Sequence, residues 1–497
     1  MNHRRPLQAA LFAAVFASGL LTSASAMAET LADAIAMAYD SNPNLLRQRN
    51  AVQAADEAFY RASRTLGPTV TADASITADR SYDTNTNCVT TGTPPVTTCT
   101  SSQSGRQSGA VGLNLSQPIY TGGRLSAQIK AQEASLLAQR ESLRQAEAAL
   151  VQSVIEAYVG VREAEQNLAI AEESARVLQR QKDEAQAKFE VGSSTRTDVA
   201  QADARLASTQ SALTRSRNAL DSAKAQYRTI VGQSPGTLEA PPPLAQLLPP
   251  TAAAAFQAAQ QDNPALRTAY LNERASAAGI SAARAARRPS VSATVTAGYD
   301  PSIFGQRENV GVTAGARVSV PIFTGLTTSS TIRSAELANK SDEIAILAQI
   351  RSLQQQVTQA WNNLVTVKAT IASGEQAVNA SRLAAEGVKE EQQVGLRTTL
   401  DVLNAEQELR SAQQSLVAAQ ADEYVFGATL LNAMGRLEAQ TFVPNLDTYD
   451  PTTHFNEVNS FSLPWEPLVR SLDRVGAAPI PERQPLPGEV VPDLPEL

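Results

Sequence analysis

The chain repeats itself, and no other feature limits its fold so strongly. Ser41-Asn42-Pro43-Asn44-Leu45-Leu46 returns as Asp262-Asn263-Pro264-Ala265-Leu266-Arg267, and Gly67-Pro68-Thr69-Val70 as Arg288-Pro289-Ser290-Val291, both 221 positions later. From Gln117-Pro118-Ile119-Tyr120-Thr121-Gly122 onward the offset falls to 203, matching Val320-Pro321-Ile322-Phe323-Thr324-Gly325. The same 203 relates Val191-Gly192 to Val394-Gly395, Asp198-Val199 to Asp401-Val402, and Gly232 to Gly435. The 18-residue difference falls between Val70 and Pro118, so the first copy carries a longer loop there. Two structural repeats follow, 29–232 and 251–435, each with the same order of elements.

Each repeat contains two stretches of period-2 alternation. Val70, Ala72, Ala74, Ile76 and Ala78 alternate with Thr71, Asp73, Ser75, Thr77 and Asp79. Val291, Ala293, Val295, Ala297 and Tyr299 do the same in the second copy. Their partners run from Val111 to Leu115 and from Val310 to Val320. Such alternation predicts strands with one apolar and one polar face, over about 68–80, 108–120, 289–300 and 309–321. Their length, about 9–11 residues, suits tilted strands of a membrane barrel. Soluble hairpins are the alternative, since the apolar face is rich in Ala and Val rather than aromatics. If the strands do span a membrane, four cannot close a barrel that needs about eight or more, and several protomers must share one.

The rest of each repeat is helical. After Gly123 the chain reaches Glu190 without a proline and with one glycine, Gly160. Leu136, Leu143, Leu150, Ala157, Ala164, Ala171, Leu178 and Ala185 form a heptad series. Val154, Val161, Leu168 and Ala175 form a companion series, repeated in register as Val357, Leu364, Ile371 and Val378. Sustained heptads predict coiled-coil packing, with long helices over about 123–190 and 326–393. At 1.5 Å per residue each is about 100 Å long. Val191-Gly192 and Val394-Gly395 are C-cap signals, and the Ser and Thr residues just after them are N-cap signals. Each long helix therefore turns into a return helix, about 197–231 and 398–434. A further helix, about Pro43 to Leu66, precedes the first strand. Stacked end to end, the shorter helices nearly match the long one, which suggests a cylinder wall.

His3, Arg4 and Arg5, an uncharged apolar run from Leu7 to Leu21, and Ala26-Met27-Ala28 predict a signal peptide over 1–28. Its removal moves the net charge from −7 to −9. No basic stripe interleaved with aromatics is present, which argues against nucleic acid as a partner. No later apolar run is long enough for a spanning helix. Cys88 and Cys99, the only cysteines, flank a Thr-rich segment with a Pro-Pro turn, and in an exported chain predict a disulfide closing that loop. With only His454 left after export, a His-rich metal site is excluded, and no cofactor is expected. No HExxH or phosphate-cradling Gly loop between strand and helix occurs, so the sequence does not read as an enzyme. The stretch 233–250, with Pro241-Pro242-Pro243 and Pro249-Pro250, reads as a linker without helix. The end of the chain, 464–497, holds eight prolines and reads as irregular or disordered, and dispensable.

Taken together, the duplicated strand–helix order, Ser41-Asn42-Pro43, Pro118-Ile119-Tyr120-Thr121-Gly122-Gly123 closing a strand, and the Val-Gly-x-x-Thr-x-x-Asp-Val tips resemble the TolC family of outer-membrane channel-tunnels. Val394-Gly395-Leu396-Arg397-Thr398-Thr399-Leu400-Asp401-Val402-Leu403 is an especially close match. The resemblance covers about 29–455. It implies a mainly α chain with β: duplicated β-hairpins plus long helical hairpins, forming a trimeric outer-membrane β-barrel continuous with a periplasmic α-barrel. The segments 233–250 and 436–463 then belong to an equatorial belt. Implied partners are two further copies of the chain, outer-membrane lipid, a periplasmic adaptor, and an inner-membrane pump, ABC-type or proton-driven. The implied role is an exit duct of a tripartite export system for small molecules, type I secreted proteins, or both.

Site residues follow by the same resemblance. Asp401 matches an acidic ring at the periplasmic aperture, and Asn404 falls where a second aspartate stands in the best-known member. Arg397 matches an arginine that holds the aperture shut, with Thr197 and Asp198 as its partners in the other hairpin. Gln392 replaces a tyrosine of that network. Val191, Gly192, Val394, Gly395 and Leu396 match the tips that meet the adaptor. Three Asp401 carboxylates around an axis favour cations, as acidic rings do in other pores. Asp198 and Asp401 also suit a plain structural role, because acids in a helix's first turn favour its dipole. The rival reading of the whole chain is a non-conducting trimeric coiled-coil envelope scaffold.

Overall fold

This computed structural model describes residues 29–82, 87–100, 103–300, 309–459, 463–486 and 489–496. The signal-peptide expectation over 1–28 lies outside them. The first repeat runs α1 (Leu31–Ser41), α2 (Pro43–Arg64), β1 (Thr69–Tyr82), a small hairpin β2 (Asn87–Thr91) and β3 (Val96–Thr100), β4 (Gln103–Tyr120), α3 (Arg124–Glu190) and α4 (Arg196–Val231). The second runs α5 (Ala252–Asp262), α6 (Pro264–Ala285), β5 (Ser290–Asp300), β6 (Asn309–Ser319), α7 (Thr327–Gln393) and α8 (Thr399–Ala433). Three short helices follow: α9 (Ala439–Phe442), α10 (Thr452–Asn459) and α11 (Glu466–Arg474).

The strands form one antiparallel sheet in the order β1-β4-β5-β6. Its register aligns like with like. Ala72, Leu113, Ala297 and Val312 lie in one cross-strand row, Val70, Leu115, Val295 and Ala314 in the next. The opposite face carries Thr71, Asn114, Thr296 and Thr313. Because side chains alternate with period 2, these rows make one continuous apolar face and one polar face. The apolar face is bare: Ile76 and Val310 are about four-fifths exposed. The backbone edges of β1 and β6 are also unpaired, since each has a neighbour on one side only.

The strand expectations need two corrections. β4 begins at Gln103 rather than near 108, and pairs with β1 out to Tyr82↔Gln103. The long loop is itself a hairpin, β2–β3, with Cys88 opposite Cys99 and bonded to it. Thr-rich, β-branched sequence on both sides of the turn explains this, because such residues favour strand over irregular loop.

Below the sheet the heptad stripe is the buried stripe. Leu136, Leu143, Ala157, Ala171, Leu178 and Ala185 are buried on α3, and Val357, Leu364 and Val378 on α7. The largest core gathers where α1 crosses α3, with Leu31, Ile35 and Tyr39 against Val151, Ile155 and Tyr158. There the single O–H of Tyr158 is shared between the carbonyls of Glu29 (2.8 Å) and Glu239 (2.9 Å), closing the segment after α4 around the middle of the helices. A second core repeats the arrangement where α5 meets α7.

The repeated Asn-Pro motif splices helices end to end. Asn263 Oδ1 accepts from the Leu266 amide at the start of α6 (3.0 Å), while its Nδ2 donates to the Ala433 carbonyl at the end of α8 (2.9 Å). Asn42 does the same, accepting from Asn44 and Leu45 at the start of α2 and donating to the Ile230 carbonyl of α4 (3.3 Å). One side chain thus satisfies groups at two helix ends, and the following proline fits the first helical position. The junction is tight. Gly435 has φ +73°, and a Cβ there would lie 2.3 Å from the Asp262 carbonyl oxygen, so only glycine fits.

Within the stretch expected to be irregular, Glu466–Arg474 forms α11, while 477–486 and 489–496 carry no helix or strand. α10 packs along α2 through Phe59 and Phe455, and through His454 Nδ1, 3.3 Å from the buried Asp56 carboxylate. α11 then docks at the start of α3. Asp473, fully buried, accepts from the Thr121 amide (2.6 Å) and hydroxyl (2.7 Å), and from the Ser126 amide (3.1 Å) and hydroxyl (2.8 Å). The α3 cap residue, Gly123, has no side chain to do this, so Asp473 supplies the missing cap from 347 residues away. Composition counted the prolines but could not register these side-chain partners on α2 and at the start of α3.

Candidate functional site

The end of the molecule opposite the sheet consists of the two helical turns. α3 ends at Val191 and Gly192, whose φ of +76° lets Ser193 N reach back to the Lys188 carbonyl (2.8 Å). α7 ends alike: Gly395 has φ +82°, and Leu396 N donates to the Glu391 carbonyl (2.8 Å). Both are left-handed glycine caps that satisfy the last carbonyls of a long helix. Thr195 and Thr398 then open α4 and α8 with reciprocal capping boxes. The turns leave apolar side chains in water: Val191 is 79 % exposed, Val394 72 % and Leu396 76 %. Each of the expected tip residues, Val191, Gly192, Val394, Gly395 and Leu396, therefore lies on this outer rim.

Asp198 and Asp401 sit inside the capping boxes. Asp401 Oδ2 accepts from the Thr398 amide (3.0 Å) and hydroxyl (2.8 Å), and Asp198 Oδ2 does so from Thr195 at the same distances. The amide bond first, then the hydroxyl, holds both carboxyls below the usual carboxylate range, with Arg397 adding to this at Asp401. Both acids are therefore charged at neutral pH, and each uses one oxygen in its own cap.

Arg397 is not brought to Thr197 or Asp198 within one protomer. Its Nε donates instead to Glu391 Oε2 at 2.8 Å, on the last turn of α7. The reason is local: the glycine turn folds 397 back over 391, while Thr195 and Ser194 already hold Asp198. Asn404 is also engaged, since Arg205 Nη2 on α4 donates to its Oδ1 (3.1 Å). Beside this bond Leu178, Leu206 and Leu403 pack together and join the two hairpins. Glu391 and Arg205 were missed by sequence reasoning. Arg205 had a signal: it flanks Leu206 as Asn404 flanks Leu403, so contact between the two leucines places the polar pair at the rim of the seam. Gln392 contributes its carbonyl, accepting from Gly395 N (3.1 Å). Among the described residues no His, Cys, Asp or Glu grouping could hold a metal. No helix among them is long and apolar enough to cross a membrane.

Comparison with known proteins agrees with this geometry. A family model described as "Outer membrane efflux protein" matches residues 34–233 and 255–436. The chain is 32% identical over 449 residues to the outer membrane efflux protein BepC of Brucella suis, covering 90% of this chain and 94% of that protein. It is 27% identical over 442 residues to the outer membrane protein TolC of Vibrio cholerae, covering 85% of this chain and 94% of that one. The crystal structure of the Campylobacter jejuni CmeC outer membrane channel superimposes with a TM-score of 0.70 at 16% identity, over 87% of this chain and 90% of that one.

Proposed function

The chain belongs to the outer membrane efflux protein family, and from that premise we propose how its parts divide the work. It is an outer-membrane exit duct whose body extends into the periplasm. The apolar sheet face meets lipid, and three four-stranded sheets, joined edge to edge through β1 and β6, close a twelve-stranded barrel. The helices form the tunnel below, about 100 Å deep from the length of α3. The exposed Val191, Val394 and Leu396 at its far end dock a periplasmic adaptor, which links the duct to an inner-membrane pump. The family's members are transport proteins, and this chain passes cargo without altering it.

The observation that carries this reading is polarity of construction. One end of the molecule offers open strand edges and a bare apolar face, and the other offers two matched glycine-capped turns with exposed apolar side chains. A scaffold has no need of both. At the aperture, Asp401 supplies the charged ring, and Asn404 with Arg205 forms a neutral-to-basic second level. Arg397, anchored on Glu391, is poised to meet Thr197 and Asp198 of a neighbouring protomer as the closing latch. The test is twofold. Photo-cross-linkers at Ser193 and Leu396 in cells capture an adaptor, whose pump type identifies small-molecule or protein export. The purified trimer conducts ions in a planar bilayer. Absence of both conductance and adaptor capture returns the scaffold reading.

A further inference from the structure

The C-terminal segment makes an out-and-back loop over the upper helices. It leaves the middle of the molecule at Leu437, rises along α2 as α10, and crosses to the start of α3 as α11. Gly476, at φ +66°, turns it back, and Ala477 seats directly on Gly123, where a Cβ would lie 2.4 Å away. It then descends antiparallel to α6. Ser281 donates to the Pro479 carbonyl (2.9 Å), one end of the seat. Further down, Tyr270 donates to Glu489, which also pairs with Arg483 (2.8 Å) over the Tyr270 ring. Leu494 drops between Leu137, Ala138 and Leu271. Pro495 ends beside Pro264 and Leu437, where the loop began.

This return strand has no helix or sheet of its own. An extended proline-rich segment has little conformational freedom to lose on docking, so side-chain recognition is enough to hold it. Beyond the middle of the molecule the ties described between the hairpins are small: the Leu178, Leu206, Leu403 cluster and the Arg205–Asn404 hydrogen bond beside it. We propose that residues 476–486 and 489–496 form a detachable clamp, seated on the seam between α3 and α6, that makes the membrane-proximal half of each protomer one rigid unit and confines opening movements to the hairpins beyond. The seat is a binding site for an extended, proline-containing peptide bearing the Arg483–Glu489 pair, and its occupant is this chain's own end. The confinement of movement rests on the duct reading; the seat does not.

The test cuts the clamp after assembly, which avoids asking a truncated chain to fold. A protease site is inserted between Val475 and Gly476, both exposed, and the purified full-length trimer is cleaved in detergent. The released fragment is expected to stay with the trimer through gel filtration. Tyr270→Phe combined with Arg483→Gln is expected to speed its dissociation at least tenfold. Once the fragment has been displaced by excess synthetic peptide and then washed out, amide exchange in α6 should rise at least tenfold, with α4 and α8 near the tips unchanged. Immediate loss of the fragment from the unmutated trimer overturns the seat. A retained fragment whose removal leaves α6 exchange unaltered, or loosens the tips equally, overturns the clamp. None of these readouts uses conductance, so their failure is distinct from failure of the duct reading.

Discussion

Replacing Asn263 separates two jobs that one amide side chain performs. Its Oδ1 caps α6 through Leu266 N, and its Nδ2 satisfies the last carbonyl of α8 at Ala433, in a site only 7 % exposed. Asn263→Ala removes both. Loss of an N-cap costs about 1 kcal/mol, and an orphaned buried carbonyl about 1–3 kcal/mol, so the junction weakens by about 2–4 kcal/mol. Asn263→Asp is the discriminating change. Aspartate caps as well as asparagine, but it has no donor and sets a carboxylate against the Ala433 oxygen. If the splice matters, Asp is at least as harmful as Ala; if only the cap matters, Asp is neutral. Hydrogen exchange of the first turn of α6 and the last turn of α8 reads this directly, since every ~1.4 kcal/mol is tenfold. The expected acceleration is roughly thirtyfold to a thousandfold for Ala, with Asp in the same range. Exchange in Asn263→Asp within about threefold of the parent, a difference under about 0.7 kcal/mol, refutes the splice. Asn42, whose donor bond is longer at 3.3 Å, should show the same order with a smaller effect.

Three further outcomes follow from other sites. Burial alone would raise the Asp473 carboxyl, but the hydroxyls and amides of Thr121 and Ser126 hold it below its ordinary value. Its contribution is therefore complete above the unfolded carboxylate value near 4 and is lost as pH falls through the lower folded value. Exchange at the start of α3 should accelerate in that acid window, while Asp473→Asn, weaker by about 2 kcal/mol at neutral pH, shows no such step. At the aperture, Asn404→Asp should raise cation selectivity in bilayer recordings only modestly, because Arg205 becomes its ion partner. The double change with Arg205→Gln should raise it further, and equal selectivity in the two variants counts against the Arg205–Asn404 contact. Cys88→Ser with Cys99→Ser removes a constraint worth about 3 kcal/mol for so short a loop. Protease should then cut near Gly92 faster, with conductance of the purified trimer unchanged.

Much of the architecture was legible because it depends on periodicity and punctuation. Heptad positions such as Leu143 and Val357 declare a buried helical stripe whatever packs on it, and Gly192 and Gly395 mark chain reversals through a backbone requirement of their own. The apolar rows of the sheet were half legible: alternation assigns Ala72 and Val312 each to a face, but register alone puts them in one row. What escaped depends on partners distant in sequence. Asp473 looks like any acid of a short amphipathic helix until Thr121 and Ser126 surround it. Arg397 was assigned by likeness to a latch, and its nearest acid, Glu391, follows from the fold of a six-residue turn. Asn42 and Asn263 stood out as repeated letters, and only the facing helix ends explain the repetition.

The unpaired borders of β1 and β6 have a consequence for inheritance. In the proposed barrel each border would present several main-chain donors and acceptors to hydrocarbon, at several kcal/mol apiece, so a solitary chain would not enter the bilayer before finding its companions. A copy with one spoiled border does not simply fail by itself; it occupies a place in a ring that then cannot close. In the proposed ring of three, equal amounts of sound and spoiled copies mixed at random leave about one ring in eight free of a spoiled member. Lesions on these two strands should therefore behave as dominant in cells that also make the intact protein, and lesions confined to the return strand over α6 as recessive.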